Sequence, residues 1–198
     1  MTLEELGRRS SPLRADSRGS RSRLIDAVGR FGVEHQQRPL RLTDLTSLAG
    51  VSPATAYRHF RSVDDAVDAF LARLPEYANA KFQKREPTDD PVARFHQWNE
   101  AWVASCQKFS SGSIGLRSPE GFLARRKREE PVVIYVCVRV EPLLGALSNT
   151  PLPLLLLWNA LSDPREVLDM RNTLRWSSAR CARFITDTVL AATTTPNT

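Results

Sequence analysis

The chain has 198 residues, 41% of them hydrophobic, and a formal net charge of +6 from 28 basic and 22 acidic side chains. This length and composition support one domain or two small ones with a proper core, and they exclude disorder throughout. No apolar run approaches the roughly 20 residues that span a bilayer, and the first residues contain Glu4 and Glu5 and lack an apolar region before any cleavage site, so a cytoplasmic protein away from membranes is expected.

Residues 1–23 hold Arg8, Arg9, Arg14, Arg18, Arg21 and Arg23 against Glu4, Glu5 and Asp16, a local net of +3. Residues 1–19 are read as a flexible basic arm. Such an arm suits phosphates, and by itself it equally suits a solvated tail. Leu24, Ala27, Val28 and Phe31 then recur at i, i+3, i+4 and i+7, which predicts a first helix over about 20–35. A second, short helix carries Leu42, Leu45 and Leu48 and stops at Gly50, where a positive-φ residue commonly ends a helix. Val51 plugs the turn, Ser52 caps the next helix and Pro53 takes its first position. That helix, Pro53 to about His59, is two turns long and depends on its neighbours. Ser62 and Asp65 have the spacing of a capping box for a longer amphipathic helix with Ala66, Val67, Phe70, Leu71 and Leu74 on one side. Pro75 ends or kinks it.

The polar segment from Lys84 to Pro91 reads as a boundary. This gives a head over 20–82 and a helical body over 88–192. Val92, Phe95, Trp98, Trp102 and Cys106 fit one helix, and Leu116–Glu130 is short and charged. The run Val132–Val136 resembles a strand, but the apolar positions continue through Val140, Leu143, Leu144 and Leu147 at helical spacing, so a helix over 131–147 is expected. Asp163, Pro164 and Glu166 start a final helix expected to reach about Leu190, some 40 Å long at 1.5 Å per residue. That length favours packing against a second subunit. Cys106, Cys137 and Cys181 lie 31 and 44 residues apart, a pattern of neither disulfides nor zinc. They read as buried small side chains, and no metal or cofactor is expected.

Two short helices joined by a glycine turn, the second opening with small or hydrogen-bonding side chains, suit the major groove. Pro53, Ala54 and Thr55 can approach base edges closely, and Arg58 can reach a guanine. Tyr57 and His59 lie beside that face and can donate to phosphates. Equally, Tyr57 can seal the core and His59 can be an ordinary surface residue. Phe60 is assigned to packing.

From about Arg23 to Leu74 the chain resembles the TetR family of one-component transcriptional regulators. The specific part is LTDLTSLAGVSPATAYRHFRSVDDAV, above all Gly50-Val51-Ser52 and Tyr57-Arg58-His59-Phe60. The resemblance implies an all-α protein of about nine helices. It would have an N-terminal three-helix DNA-binding domain with a helix-turn-helix, and a C-terminal helical bundle that dimerises through its last helices. It also implies base contacts at Thr43, Pro53, Ala54, Thr55 and Arg58 and phosphate contacts at Tyr57 and His59. Two positions depart from the family. Arg41 stands where a threonine or serine usually caps the second helix, which leaves Thr43 as an alternative cap. Val63 stands where a lysine usually meets a phosphate, a loss that Arg61 or the N-terminal arginines can offset.

In the body the resemblance is architectural. Trp98, Trp102, Phe109, Phe122, Tyr135, Trp158 and Trp176 are candidates to line an effector pocket and equally candidates for the core. His96, Glu100, Arg139 and Glu141 are possible polar handles there. The run Arg125-Arg126-Lys127-Arg128 is followed at once by Glu129 and Glu130 and reads as a solvated face. No nucleophile elbow, metalloprotease histidine pair or phosphate loop is present, so an enzyme is not expected. The expected function is a sequence-specific transcriptional regulator, a repressor released from an inverted-repeat operator on duplex DNA by a small-molecule effector. The alternative is a helical dimeric adaptor or small-molecule-binding protein without sequence-specific DNA binding.

Overall fold

A computed structural model describes residues 12–34, 39–113 and 120–193. These form eleven α-helices and no strand, in two compact units, Met1–Phe70 and Leu71–Thr198. Among the described residues no helix is long and apolar enough to cross a membrane.

The first unit is built on α1 (Pro12–Glu34), which packs against α2 (Leu42–Ala49) and α3 (Pro53–His59). The expected stripe is its core: Leu24, Ala27, Val28 and Phe31 are buried together with Ile25, Leu45, Ala49, Ala56 and Phe60. The helix starts at Pro12, eight residues earlier than expected, so the backbone of residues 12–19 is helix and not a flexible arm. Once the apolar half of α1 is held, each added turn costs little, and proline suits a first helical position. The rest of the arm, residues 1–11, and the side chains of Arg14 and Arg18 lie outside the described residues.

A fourth helix, α4 (Val63–Leu71), closes this unit and buries Ala66 and Phe70. The Phe70 ring lies so close to Gly29 that a Cβ there would stand 2.5 Å from its Cε2. The glycine is therefore the contact point between α1 and α4.

The second unit runs from α5 (Arg73–Phe82) through α6 (Pro91–Ser113), α7 (Phe122–Lys127), α8 (Pro131–Gly145), α9 (Pro151–Leu161), α10 (Pro164–Asn172) and α11 (Ser178–Thr193). Its core is centred on α6, against which α5, α8, α10 and α11 all pack. Phe95, Trp98, Trp102 and Cys106 are buried as their spacing predicts, whereas Val92 is exposed. The unit boundary falls at Phe70–Leu71 instead of residues 82–88. Leu74, Ala78 and Phe82 of α5 belong to the second core, and burial, not the polar segment after them, sets the division.

The valine-rich stretch is the helix α8. It buries Val133, Val136, Cys137, Val140 and Leu144 at helical spacing. Two of the long apolar patterns are each divided between two helices. The first breaks at Ala72, and Pro75 occupies the first turn of α5, where no amide partner is needed. The second, expected as one helix from 163 to 190, breaks at Thr173–Ser177. Arg175 is left-handed there (φ 57°), the Leu174 and Trp176 amides reach back to the Asp169 and Met170 carbonyls, and the Ser177 hydroxyl accepts from the Arg180 amide to cap α11. With 16 residues α11 is about 24 Å long at 1.5 Å per residue, not about 40 Å.

Gly19 and Gly29 of α1 have opposite surroundings, and helix propensity alone predicts a gain of about 1 kcal/mol for alanine at either. Gly19 is exposed, and a Cβ added to it would meet nothing within 4 Å, so Gly19→Ala raises the unfolding free energy by about that amount in urea titration. Gly29→Ala lowers it, because overpacking against Phe70, a cost of about 1–3 kcal/mol, outweighs the gain.

Candidate functional site

The geometry of α3 begins in the turn before it. Gly50 sits at φ 63°, and the Gly50 and Val51 amides donate to the Ser47 and Thr46 carbonyls at 3.4 and 3.1 Å. These bonds satisfy the end of α2 and turn the chain sharply. The Ser52 hydroxyl then accepts from the Thr55 amide at 3.2 Å, with Pro53 in the first position of α3. Within α3 only Ala56 is buried, and Phe60 follows it into the core. The helix is thus anchored on one side, and its opposite side is open.

Pro53, Ala54, Tyr57 and Arg58 are exposed on that open side, and Thr55 and His59 are half-buried. Tyr57 is 64% exposed and does not seal the core. Thr43 is exposed in the first turn of α2. It does not cap that helix: α2 begins at Leu42, with Arg41 in the cap position. The Arg41 amide donates to the Asp44 carboxylate at 2.9 Å, while its guanidinium, which has no acceptor, caps nothing. Before α4 the Ser62 hydroxyl accepts from the Asp65 amide, but the Asp65 carboxylate accepts from Arg61, one residue earlier than a reciprocal box requires.

His59 has its Nε2 enclosed with no hydrogen-bond partner. Burial, and then the positive charges of Arg58 and Arg21, push its pKa below the usual histidine value. The ring is therefore favoured neutral, able to donate an N–H without carrying a full charge. Arg21 comes from α1, and its guanidinium lies over the Phe60 ring, 5.3 Å from the centroid. This pair spans 39 positions in sequence, and no local pattern announces it.

The second unit contains a cavity of about 150 Å³. Leu74, Pro75, Trp102, Val133, Val136 and Trp158 form its buried apolar lining, with Ser162 and Asp163 buried beside them. Phe122, Asn159, Arg125 and Arg165 are its more accessible residues, and Leu71, Val132 and Pro164 complete it. Of the aromatic candidates, Trp102, Phe122 and Trp158 therefore meet at this cavity. The other four do not line it. Trp98 is fully buried between Phe82 and Trp102, and Phe109 packs edge-on to Tyr77. Tyr135 lies under Arg139, and Trp176 packs against Phe184.

The suggested polar handles are engaged away from the cavity. Glu100 pairs with Arg85, Glu141 pairs with Arg126, Arg139 bonds the Tyr135 carbonyl, and His96 faces Thr186 at 3.1 Å. The sequence reading missed Asn159 and the corner Ser162–Arg165. Asp163 caps α10 there and pairs with Arg165, so the same cap that signals a helix start also places an ion pair at the cavity.

The basic run of α7 is largely neutralised: Arg125 pairs with Glu130, Arg126 with Glu141 and Arg128 with Glu120. All three cysteines are buried, and burial pushes their thiols up, that of Cys137 to about 11. Among the described residues no three or more His, Cys, Asp or Glu side chains gather as a metal site.

Solved structures share this architecture. A fatty acid degradation regulator, FadR, from Bacillus halodurans superposes with a TM-score of 0.68 at 11% identity, over 89% of this chain and 97% of its own. A TetR family transcription regulator from Marinobacter aquaeolei VT8 gives 0.61 at 14%, over 88% and 97%. A transcriptional regulator from Rhodococcus sp. Rha1 gives 0.57 at 14%, over 89% and 99%. No family model matches the chain, and no curated protein matches it in sequence. The fold is that of the TetR-family transcriptional regulators.

The depressed pKa of His59 has a thermodynamic consequence. The unfolded chain takes up the proton near pH 6.5, before the folded one does, so stability is present above that pH and lost as the pH falls through the lower folded value. Urea unfolding over a pH series is expected to show wild type losing stability relative to His59→Gln below about pH 6.5, with a constant difference above about pH 7. A difference that stays constant down to pH 5 contradicts the depressed value.

Proposed function

We propose that this chain is a non-catalytic, sequence-specific DNA-binding regulator. It acts as a dimer on an inverted repeat and is released by a small ligand held in the second unit. The observation that carries the reading is the open side of α3. A helix this short is held rigidly by Gly50, Ser52, Ala56 and Phe60, and it directs Pro53, Ala54, Thr55 and Arg58 outward with no carboxylate of its own. Small side chains at three of these positions suit thymine methyls and groove shape, and Arg58 suits a guanine edge. Tyr57, His59 and Thr43 flank the face as hydrogen-bond donors to the duplex. The shared fold supports a two-fold assembly through the C-terminal helices, where Phe184 is exposed on α11 and Leu174 in the break before it. The adaptor reading leaves this uncovered, carboxylate-free face without a use.

The proposed effector site is the cavity at Trp102, Phe122 and Trp158. Its apolar lining suits the body of a small molecule, with Asn159, Arg125 and Arg165 available to a polar group. Leu71, the last residue of α4, and Leu74 and Pro75 just beyond it wall the cavity. A ligand there contacts the stretch of chain through which the head would respond.

Selection of bound fragments from a pool of genomic DNA is expected to yield a recurrent inverted repeat. His59→Ala should weaken binding to all duplexes alike, and Arg58→Ala should relax preference at one base pair per half-site, a discrimination of about 1–3 kcal/mol. Retention that is sequence-blind and vanishes at about 0.15 M salt, with and without cell metabolites, overturns the reading. For the cavity, Val136→Trp fills the space and is expected to keep operator affinity while losing release by any metabolite that frees the wild-type protein. Equal release of both proteins excludes this cavity as the effector site.

A further inference from the structure

Two arginines of the first unit act on His59 at the end of α3, Arg58 beside it and Arg21 from α1. Arg21 is exposed on α1, and its guanidinium rests 5.3 Å above the centroid of Phe60, a ring only 4% exposed and therefore a fixed platform. Arg58 and His59 immediately precede that ring in the chain and close α3. One turn either way along α1, Arg21 has Ser17, Arg18, Leu24 and Ile25 for neighbours, none of them acidic. Among the described residues no carboxylate pairs with it. Arg61 is differently placed, because Asp64 and Asp65 follow it by three and four positions in the first turn of α4.

Arg21 on this ring and Arg58 beside it both act on His59, whose proton is disfavoured first by burial and then by repulsion from these two charges. An anion placed among them removes that repulsion. A planar guanidinium stacked on a ring keeps its edge donors free for such an anion in a way that a lysine ammonium does not.

We propose that Arg21 is a DNA-backbone contact, gripping together with His59 a phosphate beside the bases that α3 faces. The assignment rests on the DNA-binding reading above. It adds α1 to the interface and makes the Phe60 ring the support that aims the guanidinium. The contact is electrostatic and sequence-blind: Arg21 strengthens binding to every duplex equally and leaves base preference to α3.

The test is anisotropy titration of the full-length protein against its selected inverted repeat and an unrelated duplex, over a salt series. Arg21→Ala is expected to weaken both by the same factor and to flatten the plot of log affinity against log salt by about 0.9 per phosphate lost in each subunit. Arg21→Lys retains charge and most of the slope, while Arg128→Ala, at an arginine paired with Glu120 in the second unit, leaves the slope as in wild type. Thermal melting of each variant separates a lost contact from a lost fold, since a folding defect lowers the melting temperature without a selective change in slope. A folded Arg21→Ala protein with the wild-type slope overturns this assignment and leaves the DNA-binding reading intact. A wild-type protein that selects no duplex overturns that reading and this assignment with it.

Discussion

A helix of seven residues does not persist in water by itself, since its nucleation cost is not recovered over two turns. The first unit is organised around this constraint on α3. A left-handed glycine satisfies the end of α2 and sets the angle at which α3 leaves, a serine accepts from the Thr55 amide in its first turn, and one buried alanine with the phenylalanine beyond it attaches it to the core. Because so little of α3 is needed for attachment, most of its side chains are available to a partner. The same economy makes the element sensitive to its supports: Arg30 bonds the Leu48 carbonyl at the end of α2, and Gly29 lets Phe70 approach α1.

The second unit solves a different problem, that of holding many helices in one arrangement around α6. Buried polar groups impose directions where apolar packing alone tolerates alternatives. Asn99 is fully buried, accepts from the Trp158 indole at 2.8 Å and donates to Thr186 at 3.0 Å, which in turn donates to the Ala182 carbonyl. Helices α6, α9 and α11 are thereby tied at one point. A few positions along α6, the Trp102 indole donates to the Ser162 carbonyl at 2.7 Å and fixes the corner between α9 and α10. Two of the tryptophans in these bonds also line the cavity, so the residues that fix the helices are those a bound molecule would touch.

Basic side chains differ in whether carboxylates meet them. The α7 run is more densely basic than any segment of α3, yet its arginines are paired with Glu120, Glu130 and Glu141. Arg21 over the Phe60 ring has no such pairing among the described residues, and the pKa of His59 beside it is lowered first by burial and then by Arg58 and Arg21. What distinguishes a basic surface available to phosphate is thus the placement of carboxylates and not the local count of arginines.

Local chemistry was enough to read the helix-turn-helix from the sequence. Gly50, Ser52 and Pro53 act on amides within a few residues of themselves, and the apolar stripes of α1, α6 and α8 follow from a period that each helix carries alone. The helical character of Val132–Val140 was legible for the same reason. Three features required tertiary structure because they depend on which distant groups meet. The division at Phe70–Leu71 is set by the core that Leu74, Ala78 and Phe82 join. The break at Thr173–Ser177 interrupts a stripe whose spacing continues on both sides, with a left-handed Arg175 that carries no glycine signal. The separation of Trp102, Phe122 and Trp158 at the cavity from Trp98, Phe109, Tyr135 and Trp176 elsewhere follows from helix packing, since an aromatic side chain reads alike in sequence whether it faces a void or fills one.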